Sequence, residues 1–156
     1  MIRRAGAADV DAIEASYTEL LLYEQEHGTN SQWVLGVYPT RATAERAVAA
    51  GTMYILEEGG RLCASMILNS YQAPEYREVQ WLYPEEDECV LVIHTLCVPP
   101  SAAGKGFGTR MVDFCNGLCP WARHGCAAPG HEYKEHACPA PVSEKRMPHS
   151  LSLIHI

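Results

Sequence analysis

The chain has 156 residues, a formal net charge of −7 and an apolar fraction of 47%. That length suits one domain with an ample core. The acidic balance argues against nucleic acid or an anionic membrane as partner, and no apolar stretch approaches the roughly 20 residues a membrane helix needs.

Ile2-Arg3-Arg4 reads as a short first strand. Ala8 to about Glu26 reads as an amphipathic helix, because Val10, Ile13, Tyr17, Leu20, Leu21 and Glu24 fall at helical intervals and the first five are apolar. Asp9 and Asp11 suit the positive end of its dipole, and Gly28 marks its stop. Tyr38-Pro39-Thr40 opens a second helix, Arg41 to Ala50, closed by Gly51. Two β-rich runs, Thr52 to Glu57 and Arg61 to Leu68, flank Glu58-Gly59-Gly60 and predict a hairpin. Tyr71 to Glu88 is a longer polar connection ending in the acidic run Glu85-Glu86-Asp87-Glu88; it is either a solvated loop or a lure for a cationic amine. Val90 to Val98 is nearly all apolar and reads as a fourth, central strand.

The most informative segment follows that strand. Pro99-Pro100-Ser101-Ala102-Ala103-Gly104-Lys105-Gly106-Phe107-Gly108-Thr109-Arg110 leads into a helix-like run through Phe114. A strand, a glycine-rich turn and a helix start bring main-chain N–H groups and the positive dipole end to one point, which suits an anion. Neither phosphate fingerprint of the common kind fits. No Lys-Ser or Lys-Thr follows the glycines, and Gly104-x-Gly106-x-Gly108 is late in the chain and wrongly spaced for a dinucleotide turn. A plain tight turn is the bland alternative.

The whole phrase, Leu96-Cys97-Val98-Pro99-Pro100 followed by Ala103-Gly104-Lys105-Gly106-Phe107-Gly108, resembles the acetyl-CoA loop of the GNAT N-acetyltransferases, L-x-V-x-P-x-x-[RQ]-G-x-G-x-[GA]. Ala103 stands where that family has Arg or Gln, so one side-chain contact is absent while the main-chain contacts remain. The resemblance covers residues 1 to about 117. It implies an α/β (α+β) fold with a mixed, mostly antiparallel twisted sheet and flanking helices. It also implies transfer of acetyl from acetyl-CoA to a primary amine on a small molecule or peptide. Leu96, Cys97 and Val98 would pair with the pantetheine arm, and Ala103, Gly104, Lys105, Gly106, Phe107, Gly108 and Thr109 would hold the diphosphate. A main-chain N–H near Val98 would polarise the thioester carbonyl. Trp33, Tyr38 and Tyr17 are candidate walls of the acceptor pocket, with core packing the alternative.

The attacking amine must be neutral, so a base is needed. His94 and Glu88 are the candidates near the strand; for His94 the alternative is a packed core histidine. Direct transfer needs no acyl-enzyme, so Cys97 is not read as a nucleophile. The seven cysteines lack the rhythm of a secreted scaffold, and Met1-Ile2-Arg3-Arg4 runs into a polar segment rather than a signal peptide. A reducing cytoplasm is the expected compartment. A homodimer is left open. Rival readings are a non-catalytic acyl-CoA-binding module and a metal-binding interaction protein.

From Leu118 onward the character changes. The tail is rich in Pro, Cys and His and has no clean helical or strand period, so residues 118–156 form an anomalous, disordered segment beside an incomplete domain over 1–117. Cys115, Cys119, Cys126, Cys138, His124, His131 and His136 are metal-type ligands, but their spacing fits no zinc module and no metal is assigned. A sharper explanation comes from the codons. Read one nucleotide later, Ala128 to Cys138 permits L-D-T-N-I-K-N-T-P-A, Pro139 to Lys145 permits x-x-L-Y-x-K, and Leu118 to Trp121 permits Y-A-R-G. That composite looks like the family's last strand and final helix, whose tyrosine gives a proton to the leaving thiolate; Tyr133 is not its equivalent. The expectation is a reading-frame slip near Gly117 or Leu118, with Pro148 to Ile156 resembling translated adapter sequence.

Overall fold

Hydrophobic patterning along two helices and a hairpin fixes the architecture before the site is reached. The computed structural model describes residues 1–28, 31–71 and 91–118. The elements are β1 (Ile2–Arg4), a 3-10 turn (Ala7–Asp9), α1 (Val10–His27), α2 (Arg41–Ala49), β2 (Met53–Glu58), β3 (Arg61–Asn69), β4 (Val92–Cys97), a second 3-10 turn (Pro100–Ala102) and α3 (Phe107–Leu118). The strands lie in the order β1-β2-β3-β4 and every neighbouring pair is antiparallel.

The expected elements are present, with shifted ends. The first helix opens as a 3-10 turn and becomes α-helical at Val10. Its stop is Gly28, at φ +96°, whose N–H donates to the Glu24 carbonyl at 2.9 Å. The hairpin turn is Gly59-Gly60, with φ of +58° and +74°; two left-handed residues match the twist of paired strands, which is why glycines stand there. One expectation needs correction. Among the described residues β4 ends the strand order, and the central, continuously buried strand is β3, from Cys63 to Leu68. An apolar run is the signature of a strand covered on both faces, and β3 and β4 share it; composition alone does not order them.

The sheet separates two cores. On one face Val10, Ile13, Tyr17 and Leu21 of α1 and Ala44 and Ala47 of α2 pack with Met53, Ile55, Ile67 and Cys97. On the other, Phe107, Met111 and Cys115 of α3 pack with Leu56, Ala64, Met66 and Leu68. Each large side chain so buried contributes roughly 1.5–3 kcal/mol. Arg41 ties α2 to α1 through Asp11 and Glu14, both at 2.7 Å, and to Glu45 at 2.9 Å.

The join of β1 to α1 carries a denser polar knot. Asp9 accepts two bonds from the Arg3 guanidinium, both at 2.8 Å, and one from the Gly6 N–H at 2.8 Å, while Arg3 also reaches Glu57 at 3.0 Å. The guanidinium bonds, chiefly, hold the Asp9 carboxyl below the usual carboxylate range against the opposing effect of burial. A lowered folded value means that the unfolded chain binds the proton more readily. The stabilisation is therefore whole above the ordinary aspartate range and lost as pH falls through the folded value. Asp9→Asn should lower stability by about 1 kcal/mol at pH 7. Urea melts of the two proteins from pH 7 to pH 2 should converge at the acid end; a constant gap would contradict the ion-pair account.

Candidate cofactor-binding site

The strand that carries the site is irregular where it matters. Ser65 of β3 pairs with Cys97 and Ile67 with His94, so one residue of β3, Met66, stands between these pairs against two of β4, Thr95 and Leu96. β4 therefore holds one extra residue, a β-bulge, and Thr95 lies in it at φ +49°. A β-branched residue in left-handed backbone is a conformational outlier. No sequence signal marks it, because threonine in an apolar run reads as ordinary strand. Thr95 is buried, and its Oγ1 is hydrogen-bonded to the Tyr38 hydroxyl.

Beyond β4 the chain turns through Pro100–Ala102. Glu19 of α1 fixes that turn, accepting from the Ser101 N–H at 2.7 Å and the Ser101 hydroxyl at 3.1 Å. Gly104 and Gly106 follow, both at φ +74° with nothing within 4 Å of a built Cβ. Glycine is required there for its conformation and not for room. α3 begins at Phe107, so Phe107, Gly108 and Thr109 form the first helical turn and only Ala103 to Gly106 form the loop proper. The Phe107 side chain is buried with Met111 and Cys115, one turn apart each, which seats the helix on the sheet. Gly108 approaches Val98, whose Cγ2 lies 3.6 Å from where a Cβ would stand.

This seating leaves main-chain donors without acceptors. The Arg110 N–H closes the first helical bond, to Gly106 O at 3.0 Å. Among the described residues the N–H groups of Lys105, Gly106, Phe107, Gly108 and Thr109 have no hydrogen-bond acceptor. A helix start always leaves such donors; here glycines at 104 and 106 extend the row into the loop, and the side chains of Ala103 and Lys105 are exposed. Arg110 lies close by, paired with Glu58 at 3.0 Å and set over the Phe107 ring. The arrangement can hold an anion of more than one oxygen, such as a diphosphate.

The remaining predicted residues divide. Leu96 and Val98 are half-buried against the α3 core. Cys97 points to the opposite face and is fully buried; its Sγ lies 3.9 Å from the Ser16 hydroxyl and 3.7 Å from the Ser16 carbonyl. Burial pushes its thiol up to about 12, which leaves it protonated and poorly nucleophilic. His94 is buried, with Nε2 at 3.1 Å from Asn69 Oδ1. That oxygen also accepts the Tyr71 N–H at 2.9 Å, so Nε2 carries the hydrogen. Burial holds the His94 ring below its ordinary value, and it is neutral at pH 7. Glu88 and the acidic run around it lie outside the described residues.

Of the three pocket-wall candidates, Tyr17 is core, and burial raises its hydroxyl well above the usual tyrosine range. Its hydroxyl lies near Ser65 Oγ without reaching hydrogen-bond geometry, and both groups lack partners among the described residues. Trp33 meets Tyr38 edge-on at 6.1 Å. A cleft of about 370 Å³ opens between this connection and α1, lined by Leu21, Glu24, Gln25, Gly28, Trp33, Val34 and Leu35. Glu24, the charged residue on the core-facing stripe of α1, accepts from the Ser31 N–H at 3.2 Å and the Ser31 hydroxyl at 2.5 Å. Its position in an apolar stripe was the one hint the sequence held of that tie.

Comparison with solved structures gives this arrangement a class. The chain overlays an acetyltransferase of the GNAT family from Streptococcus agalactiae 2603 at a TM-score of 0.66 and 17% identity, over 76% of this chain and 69% of that one. A structure described as an acetyltransferase of Staphylococcus aureus Mu50 matches at 0.54 and 25% identity, over 76% and 70%. GphF, a GNAT-like decarboxylase solved in complex with isobutyryl-CoA, matches at 0.52 and 20% identity, over 73% of this chain and 56% of that one. No family model matches the chain, and no curated protein matches it. The chain has the fold of the GNAT acetyltransferases, a mixed α/β architecture around an antiparallel sheet. No helix among the described residues is long and apolar enough to cross a membrane.

The left-handed glycines allow a direct check on the loop. Gly106→Ala places a Cβ in open space but in an unfavourable conformation, at a cost of about 1–2 kcal/mol. Denaturant melts should show a loss of that order for Gly106→Ala and for Gly104→Ala, and little loss for Ala103→Gly. Equal stability for all three variants would mean that the loop does not need left-handed backbone.

Proposed function

We propose that the protein is an acyl-CoA-dependent N-acetyltransferase that moves acetyl from acetyl-CoA to a primary amine. The observation that carries this reading is the row of unpartnered N–H groups from Lys105 to Thr109, set at the start of α3 and directly after a bulged strand. Ala103 to Thr109 hold the coenzyme diphosphate through main-chain donors, and Lys105 and Arg110 add positive charge to a protein that is acidic overall. Leu96, Cys97 and Val98 offer main-chain groups to the pantetheine arm, as an added strand would. At the bulge, main-chain N–H released from the ladder faces the thioester carbonyl as negative charge develops there. The amine attacks that carbonyl, loses its proton to a base, and the coenzyme thiolate departs and is protonated.

The base is not assigned to His94. Its ring is buried and its Nε2–H donates to Asn69, which fits a packed histidine that braces the β3–β4 corner and leaves Nδ1 as its one basic nitrogen. Glu88 remains a candidate for that role. We read residues 118–156 as translated out of frame, and so expect weak coenzyme binding or none, and little turnover, from the chain that carries them. The nucleotide sequence tests that reading directly: sister genes that share these residues in the same frame would contradict it. A metal-binding tail is disfavoured at Cys115, whose thiol donates to the Met111 carbonyl at 3.2 Å inside the α3 core.

A second acyl-CoA reading, a non-catalytic sensor, uses the same loop and is separated by pairing two measurements. Calorimetry should show saturable binding of acetyl-CoA to the frame-restored protein. Acetyl transfer to a panel of primary amines should be near background for this chain and at least tenfold higher when the frame is restored after Gly117. Binding with no transfer from the restored protein would favour the sensor, and no binding by either protein would end both readings.

A further inference from the structure

The extra residue in β4 is held by a side chain from another part of the molecule. Thr95 is β-branched, left-handed at φ +49° and buried, a combination that the backbone does not choose unaided. The partner that offsets it is the Tyr38 hydroxyl, hydrogen-bonded to Thr95 Oγ1. Tyr38 is itself fixed at both ends. Its N–H donates to the Val34 carbonyl at 3.0 Å and its carbonyl accepts from the Val34 N–H at 3.1 Å, closing a tight turn. Its ring meets the edge of Trp33, whose main-chain N–H donates to the Ser31 hydroxyl at 3.1 Å, and Ser31 is held by the buried Glu24 of α1. A continuous set of ties therefore runs from the body of α1 to the bulge.

We propose that Tyr38 is a positioning residue for the acyl group: its hydroxyl holds Thr95 left-handed, and so keeps the bulge of β4 shaped to receive a thioester carbonyl. The inference rests on the acyl-CoA reading above and goes beyond it. It divides recognition into two separable parts. The loop from Gly104 to Thr109 reads the diphosphate, which coenzyme A and acetyl-CoA share. The Tyr38–Thr95 pair governs only the carbonyl, which coenzyme A lacks.

The division gives a readout that general destabilisation does not move, the ratio of acetyl-CoA to CoA affinity. Calorimetric titration of the protein with its frame restored after Gly117 should show tighter binding of acetyl-CoA than of CoA. Tyr38→Phe keeps the ring and removes only the hydroxyl. It should lower acetyl-CoA affinity about fivefold, leave CoA affinity unchanged and bring the ratio near unity. Thr95→Val, which keeps the β-branch and loses the hydroxyl, should do the same. Adding Thr95→Gly to Tyr38→Phe should restore the ratio, because glycine takes positive φ without help. An equal fall for both ligands, no fall for either, or failure of the glycine to restore the ratio would overturn the assignment. Absence of binding of either ligand to the frame-restored protein would instead remove the acyl-CoA reading and this inference with it.

Discussion

The burial of Phe107, Met111 and Cys115 against β3 is the constraint from which the site follows. A helix cannot satisfy the N–H groups of its own first turn. In most settings those donors meet water or a capping side chain. Here the apolar stripe of α3 fixes the helix on the sheet, Gly108 lies against Val98, and the two left-handed glycines carry the row of donors back into the loop. The result is a rigid, positively polarised corner at the end of β4 on an otherwise acidic protein. Its geometry is set by hydrophobic packing, and its chemistry by what packing leaves unpaired.

Around that corner the polar contacts serve placement. Glu19 holds the Ser101 turn, Glu24 holds Ser31, and Asp9 with Arg3 holds the entry to α1. All three carboxylates stand on or beside α1, which thereby spans the region from the first strand to the turn that leads into the glycine loop. Two described side chains of β4 with acid–base chemistry are, by contrast, withdrawn. The Cys97 thiol is protonated and enclosed, and His94 is neutral and turned to Asn69. A direct transfer, in which the protein aligns two reactants and stabilises charge through the backbone, agrees with such a site.

The order of helices and strands was legible in the sequence because each depends on local periodicity or on a glycine stop, as at Gly28 and Gly59-Gly60. The loop was legible because its requirement is conformational, and glycine is the residue that meets it. What stayed hidden depends on contacts distant in sequence. Nothing near Thr95 announces a bulge, since the partner that stabilises it, Tyr38, is 57 residues away. The place of β4 at the end of the strand order among the described residues was equally unreadable, because an apolar run reports burial and not neighbours. Glu19 gave no sign of its bond to Ser101, which spans 82 residues.

Hydrogen exchange at single amides tests the central claim most directly. With the coenzyme absent, the N–H groups of Lys105 to Thr109 should exchange quickly, because no acceptor protects them. Saturating CoA should slow those five amides together in the frame-restored protein, by tenfold or more, while the solvent-facing turn at Gly59-Gly60 stays unchanged. Exchange at Lys105 to Thr109 that does not respond to CoA would contradict the account, since the donors on which it rests would then hold nothing.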